Sequence, residues 1–490
     1  MTTIYYDDRP CGSGKTYTEC NFMVRTPGLY LLAVEQRTVM VERLKMLAEL
    51  AADAGTTPVI KTIFSSQAEV REDGRLDRVG VANVRVEIEA LPSTYQRGHM
   101  IIIITHEGLK SADLAAFEGW NLYIDETPTI WDKQLLSTSV TKDFFARHYD
   151  LMPTENDRVR RITAVSDSTA KDFARDDLAK AVGVFHARVL SDRIEVATKL
   201  ARWSELNEDA NWTWWSIWSP EQLGVFQRVT ILANAFTRSV TYRIMSAKWP
   251  EIEWVRLDRS MTRPYAQRRV VINYFARAHT AQRMLWNSER GKGHLRQVAR
   301  HIDAQVDPMR HIWMCNGDDE ATLTTQGVNI AGVKLSPRQQ GSNRFMAATT
   351  ATMIYTSKPD TSDRLVMRMI GVDPDAVIET REYEVLVQFA CRTSIRDAAS
   401  TETVNLWVYD EVQAKHLEAY FQSTGYCIPS LALHDLGWAD WKPAKKEPPV
   451  LSPDEIQAKK DHERALDTAR KARKRAEQKA AKQKEIEKID

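Results

Sequence analysis

The chain has 490 residues and a formal net charge of +1, with 67 lysines and arginines against 66 aspartates and glutamates; bulk charge therefore neither requires nor excludes a nucleic-acid partner. Its length calls for two or three domains with separate cores, and 43% hydrophobic with 27% charged residues is the composition of an ordinary soluble globular protein. Five scattered cysteines (Cys11, Cys20, Cys315, Cys391, Cys427) without CxxC spacing favour reduced thiols over a disulfide framework or a zinc site, and the longest aliphatic run, Met100 to Ile104, is far too short to span a bilayer.

The first element is a short β-like run, Thr3-Ile4-Tyr5-Tyr6, followed directly by Arg9-Pro10-Cys11-Gly12-Ser13-Gly14-Lys15-Thr16. The stretch from Tyr17 to Val24 can start a helix. A strand feeding a glycine-rich loop and then a helix is the context of a phosphate-binding P-loop. Backbone N–H groups from Cys11 through Gly14 would curl around a phosphate, Lys15 would reach the β- and γ-phosphates, and the Thr16 hydroxyl would ligate Mg²⁺. Arg9 stands where the pattern has glycine. The expected ligands are ATP and Mg²⁺. With this charged region so close to Met1 no signal peptide is visible, and a cytoplasmic location is expected (the host cytoplasm if the gene belongs to a phage).

Leu29 to Val34 reads as a buried strand and Val39 to Ala52 as a helix with apolar residues three and four apart. Met100 to Ile104 and Leu122-Tyr123-Ile124 are further strands, with Arg161 to Val165 as another candidate. Apolar strands separated by helices predict a parallel sheet covered on both faces. Residues 166–228 read as a mainly helical insertion carrying Trp212, Trp214, Trp215 and Trp218, which helical spacing would place on one face. Aromatic packing against the first domain is the favoured role for them, and base stacking or a strand-separating wedge is the alternative. Val229 to Leu232 returns to the first sheet. A second α/β alternation begins near residue 268, with strands at Val270 to Ile272, Ile312 to Cys315, Met353 to Tyr355 and Leu406 to Tyr409. After the prolines at 443, 448, 449 and 453 the chain becomes a charged tail, either a solvated helix or disordered, dense in basic residues at 470–475.

Asn121-Leu122-Tyr123-Ile124 ends in Asp125-Glu126, an acidic pair at the end of a strand roughly 110 residues after the P-loop. Asp125 would hold Mg²⁺ through water, and Glu126 would orient and deprotonate the attacking water.

With these two motifs in place the chain resembles the superfamily 2 helicases and translocases, especially phage-type DEAD-like members. The loop at 9–16 looks like their first motif and Asp125-Glu126-Thr127-Pro128 like the D-E-x-x box. Thr105-His106-Glu107-Gly108-Leu109 is similar to the T-H-x-x-L element that contacts the nucleic-acid backbone, and Arg37 lies where an earlier backbone-contacting motif sits. Leu232 to Phe236 occupies the place of the S-A-T motif, which makes Asn234 the expected coupling residue. Gln388-Phe389-Ala390-Cys391-Arg392-Thr393-Ser394-Ile395-Arg396 resembles Q-x-x-G-R-x-x-R, in which Gln388, Arg392 and Arg396 would act on the transferred phosphoryl group. Arg338 with Gly341 to Asn343, and Cys315-Asn316, are looser matches to further motifs. The resemblance implies two RecA-like domains, at 1–165 with a return at 229–267 and at 268–442, with ATP in the cleft between them. It also implies a nucleic-acid partner, DNA ahead of RNA, and replication or repair proteins as associates.

Two other functions fit parts of the pattern. A terminase-type DNA-packaging ATPase also tolerates a degenerate P-loop and carries a D-E pair, but it needs a nuclease whose carboxylates are not evident beyond Asp410. A nucleotide-gated scaffold or adaptor would lack Lys15 or Glu126, and both are present.

Overall fold

The computed structural model describes residues 2–65, 67–70, 76–136, 142–165, 177–206, 212–261, 264–282, 288–317, 330–337 and 344–441. The expected α/β architecture with two parallel sheets is present. The first sheet has seven strands in the order Glu253–Arg256, Thr3–Asp7, Arg228–Leu232, Asn121–Asp125, Leu29–Val34, Met100–Thr105 and Val59–Thr62, every pair parallel. Its central strands are almost wholly apolar because helices cover both faces. On one face the helix Arg37–Ala54 turns Val39, Met40, Leu47, Leu50 and Ala51 inward at helical spacing and stops at Gly55, whose φ of 65° suits a left-handed cap.

Register sets the level of the loops. Asp7 pairs with Leu232, and Leu232 with Asp125, so the chain leaves three adjacent strands at the same height. The glycine-rich loop, the acidic pair and the segment at Asn234 therefore emerge side by side at the C-terminal edge of the sheet, where parallel α/β sheets bind ligands. The second sheet has six parallel strands, ordered Val333–Lys334, His311–Cys315, Thr350–Ile354, Val404–Val408, Arg268–Tyr274 and Cys427–Leu433.

The insertion corrects the sequence reading. It is organised around a five-stranded antiparallel sheet, ordered Trp131–Leu136, Trp212–Trp218, Ile194–Thr198, Arg160–Ala164 and Tyr149–Pro153. It therefore begins near Trp131 and not at residue 166, and Arg160–Ala164 belongs to it and not to the first parallel sheet. The tryptophans lie on a strand, not on a helix. Trp215, Ile217 and Trp218 join the core of the first sheet, whereas Trp212 and Trp214 join Phe145, Phe185 and Trp203 in the insertion's own core. A strand buried on both faces carries large apolar residues on both, here interrupted only by Thr213 and Ser216, which hides its period of two and mimics a helical face. Aromatic and β-branched residues also favour the pleated geometry.

The second half reaches back across the molecule. Val366, Met367, Val372, Ala376 and Val377 are buried in the same core as Val240, Ile244 and Met245 of the first half. Lys133 of the insertion pairs with Asp360 at 2.7 Å and Asp363 at 2.9 Å, and Arg381 lies over the Trp131 ring. No helix among the described residues is long and apolar enough to cross a membrane. The looser motif match at Arg338 and 341–343, and the charged tail, lie outside the described residues.

Candidate active site

The glycine-rich loop turns on Gly12 and Gly14, whose φ values of 82° and 83° lie in the left-handed region open to glycine. Gly14 caps the helix Lys15–Arg25 and points that helix's N-terminal N–H groups into the loop. Ser13 N–H donates to the Pro10 carbonyl at 3.2 Å, and Lys15 Nζ folds back onto the carbonyls of Arg9 at 2.6 Å and Pro10 at 3.2 Å. The arginine at position 9 has its own task. Its guanidinium grips Asp7 through Nε and Nη2 and reaches the Ser260 carbonyl in the segment joining the two halves. Its φ is not positive, so nothing here requires the missing glycine.

Asp125 is buried and engaged on both oxygens. Thr16 Oγ1 donates to Oδ1 at 2.7 Å, and Arg43 Nε donates to Oδ2 at 2.8 Å. His106 Nε2 meets the Asp125 carbonyl at 3.1 Å. Burial holds that imidazole neutral by lowering its pKa to about 4. Glu126 follows with φ 70°, and Ala235 has φ 49°; these are the only non-glycine residues with positive φ among the described residues. Such backbone outliers concentrate at functional sites. Burial, reinforced by the neighbouring Asp125 charge, raises the Glu126 carboxyl to about 8.

The second half supplies the opposite wall. Gln388 Nε2 donates to Glu126 Oε2 at 3.2 Å and to Glu384 Oε1 at 2.8 Å. Asn234 Nδ2 donates to both Glu384 oxygens, at 3.0 and 2.8 Å. Tyr420 OH accepts from the Cys11 N–H at 2.9 Å and lies 3.4 Å from Asn234 Oδ1. Tyr265 OH donates to the Gly12 carbonyl at 2.7 Å. The Cys11 thiol faces Cys391, and that hydrogen bond lowers it to about 6. Arg396 runs beside the loop: a Cβ placed on Gly12 would lie 4.0 Å from Arg396 Cγ.

Arg392 is the most telling group. Its side chain is only 2% exposed, yet Nε, Nη1 and Nη2 make no hydrogen bond. Burial, with Arg396 adding repulsion, lowers its pKa to about 10, while Glu35, Cys11 and Glu126 lie within electrostatic reach. A buried guanidinium without acceptors is costly unless an anion completes it. The cradle of backbone N–H groups, the Lys15 ammonium and this guanidinium fit a polyphosphate. Thr16 beside Asp125 fits a Mg²⁺ held through water and phosphate oxygens, an arrangement that needs no all-protein cage. Among the described residues, no group of three or more His, Cys, Asp or Glu could form such a cage.

The residues singled out by sequence thus fall into two groups. Cys11, Gly12, Ser13, Gly14, Lys15, Thr16, Asp125, Glu126, Asn234, Gln388, Arg392 and Arg396 converge on one cleft. The nucleic-acid set does not. His106 is buried with its ring turned to Asp125, so it braces the acidic pair and offers no surface to a strand. Thr105 Oγ1 accepts from Gly108 N–H and caps the short helix His106–Ser111. Arg37 opens its helix with the guanidinium 4.2 Å from the Phe64 ring centre. Sequence reasoning missed Arg43, Glu384, Tyr265 and Tyr420. Arg43 shared the inward spacing of its helix and Glu384 stands one helical turn before Gln388, which were usable signals; the two tyrosines had none.

No protein-family model and no curated protein matches the chain. Among solved structures the chain is similar to an XPD helicase at 9% identity, with a TM-score of 0.47, covering 88% of this chain and 96% of that one. It is also similar to S. cerevisiae Dbp5 bound to RNA and ADP BeF3, at 9% identity, TM-score 0.38, and 88% and 85% coverage. RecG bound to a three-way DNA junction aligns at 9% identity and TM-score 0.33, over 87% of this chain and 43% of that one.

Proposed function

We propose that the protein is an ATP-dependent nucleic-acid helicase or translocase, hydrolysing ATP between its two parallel-sheet halves. The observation that carries this is the buried, hydrogen-bond-free Arg392 guanidinium of the second half, held near the P-loop and Glu126 of the first. Bound Mg²⁺·ATP would supply the phosphoryl group and its charge, which Thr16 and Asp125 would help to hold through the metal. Lys15 and the loop N–H groups would bind the phosphates, and Glu126, oriented by Gln388, would take a proton from water. Arg392 and Arg396 would oppose transition-state charge only when the halves are together. Turnover and relative movement of the halves would thereby be coupled. The division into two RecA-like domains with an insertion on the first belongs to the same proposal.

The nucleic-acid part of the proposal is supported by the motif resemblance at 388–396 and by the paired sheets, with DNA ahead of RNA. The test is ATPase activity of the full chain alone and with single-stranded DNA, duplex DNA and RNA. Stimulation by at least one of them is expected. Hydrolysis indifferent to all three would leave a nucleotide hydrolase without a nucleic-acid role.

A further inference from the structure

We infer that Glu384 is a positioning residue that locks Gln388 and Asn234 into one arrangement across the cleft and so aims the Gln388 carboxamide at Glu126. The inference rests on the nucleotide-hydrolysing function proposed above.

The geometry starts with an irregular helix. Residues 375–390 run as a helix interrupted by a π-helical turn at Glu379–Tyr383, immediately before Glu384. Such turns shift the face that a helix presents and recur at functional sites. Here Thr380, Glu384 and Gln388, spaced four apart, all face the first half. Thr380 Oγ1 accepts from Val240 N–H at 2.8 Å, Glu384 accepts from Asn234, and Gln388 donates to Glu126.

The amide of Gln388 has two N–H bonds, and Glu384 takes one at 2.8 Å while Glu126 takes the other at 3.2 Å. With one N–H fixed, rotation of the carboxamide is stopped and the second N–H keeps its direction. Glu384 is fixed in turn by the two contacts from Asn234. Asn234 closes the circuit to the P-loop through Tyr420, which accepts from Cys11 N–H. One carboxylate thus ties the segment after Leu232, the second half and the candidate base together. It touches no position where a phosphate or metal is proposed, so it acts through Gln388 and not on the substrate.

The test uses the full chain. In E384A, kcat of the nucleic-acid-stimulated ATPase should fall by up to about 100-fold, the scale set by loss of orientation at a reacting group. KM and the affinity for a fluorescent non-hydrolysable ATP analogue should stay within about threefold, because orientation and not ground-state binding is lost. E384Q keeps an acceptor and should recover part of the rate. Q388A should be at least as slow as E384A, and the double variant E384A/Q388A no slower than Q388A, since both substitutions remove one device. If E384A fails to fold, E384Q with Q388A carries the same comparison. Unchanged kcat in E384A, equal losses of kcat and nucleotide affinity, or additive effects with Q388A would each overturn the positioning role alone. Wild-type protein with no ATPase activity would instead overturn the function on which it rests.

Discussion

Thr16 Oγ1 donates to Asp125 Oδ1 at 2.7 Å although the two residues are 109 positions apart. This bond joins the end of the glycine-rich loop to the first acid of the pair, and Arg43 anchors the far side of the same carboxylate. The P-loop and the acidic pair are therefore one element, fixed by the register of three neighbouring strands.

Lys15→Ala is expected to abolish ATP hydrolysis without unfolding the protein. Its ammonium contacts only loop carbonyls, so the loss falls on phosphate binding. Steady-state ATPase assays with a thermal melt check this, and turnover near the wild-type rate would remove the P-loop from the mechanism.

Glu126→Gln should still bind ATP but hydrolyse it at least ~100-fold more slowly, the loss expected when a general base is neutralised. Single-turnover kinetics beside equilibrium nucleotide binding separates the two. Collapse of ATP affinity would make Glu126 a metal ligand or a structural residue.

Arg392→Met should move stability and activity in opposite directions. Replacing a buried guanidinium that has no hydrogen bond by an apolar side chain of similar length should raise the thermal midpoint of the nucleotide-free protein. Stimulated turnover should fall by about 10³-fold or more, the scale of a lost arginine finger. Arg396→Ala should cut stimulated turnover severely and ATP binding less. A lower midpoint in Arg392→Met, with full activity, would assign Arg392 to packing.

His294 gives a pH prediction of definite sign. Its ring is buried, stacks on Trp438 at 4.2 Å, and has its pKa lowered from 6.5 to about 4, chiefly by burial. The folded state refuses a proton that the unfolded chain accepts. The stability this ring contributes is whole above pH 6.5 and is lost as pH falls toward 4. His294→Phe keeps the stack and removes the titration. Its thermal midpoint should therefore fall less than that of the wild type between pH 7 and pH 4.5, and parallel pH profiles would refute the assignment.

Trp214→Ala should destabilise the fold by ~3–5 kcal/mol, as large core truncations do. The ring is fully buried and packs edge-on against Phe185 at 5.2 Å. Nucleic-acid affinity of the molecules that remain folded should not change. A selective loss of binding in titrations below the melting transition would restore the base-stacking role.

Much of this arrangement was legible in the chain because it depends on local patterns. Gly12, Gly14, Lys15 and Thr16 follow a strand, and Asp125-Glu126 end one, so apolar runs and their punctuation located both. What failed was whatever depends on which surface covers which. The run at 212–218 carries tryptophans on both faces because two cores meet on it, and that blurs the alternation marking a strand. His106 matched a contact motif, but its burial was fixed by helix packing that no short pattern encodes. Tyr420 and the pairing of Glu384 with Asn234 become meaningful only when the second sheet is laid against the first, a relation spanning 150 residues between Asn234 and Glu384.

The burial of Val366, Met367, Val372, Ala376 and Val377 in the core of the first half has a mechanical meaning. Burial of Val366, Met367, Val372 and Val377 stabilises the seat by roughly 1.5–3 kcal/mol each, so residues 366–377 travel with the first sheet and not with the second. A boundary drawn at the connecting segment near residue 260 would thus separate sequence halves but not moving parts. If the cleft opens, the bending point lies within the second half, on either side of this embedded segment. One flank is the chain between Ile354 and Asp360; the other is the π-helical turn at Glu379–Tyr383. A protein cut at residue 260 would expose the apolar face of Val240, Ile244 and Met245 and should aggregate, whereas the intact chain should unfold both halves in a single cooperative transition.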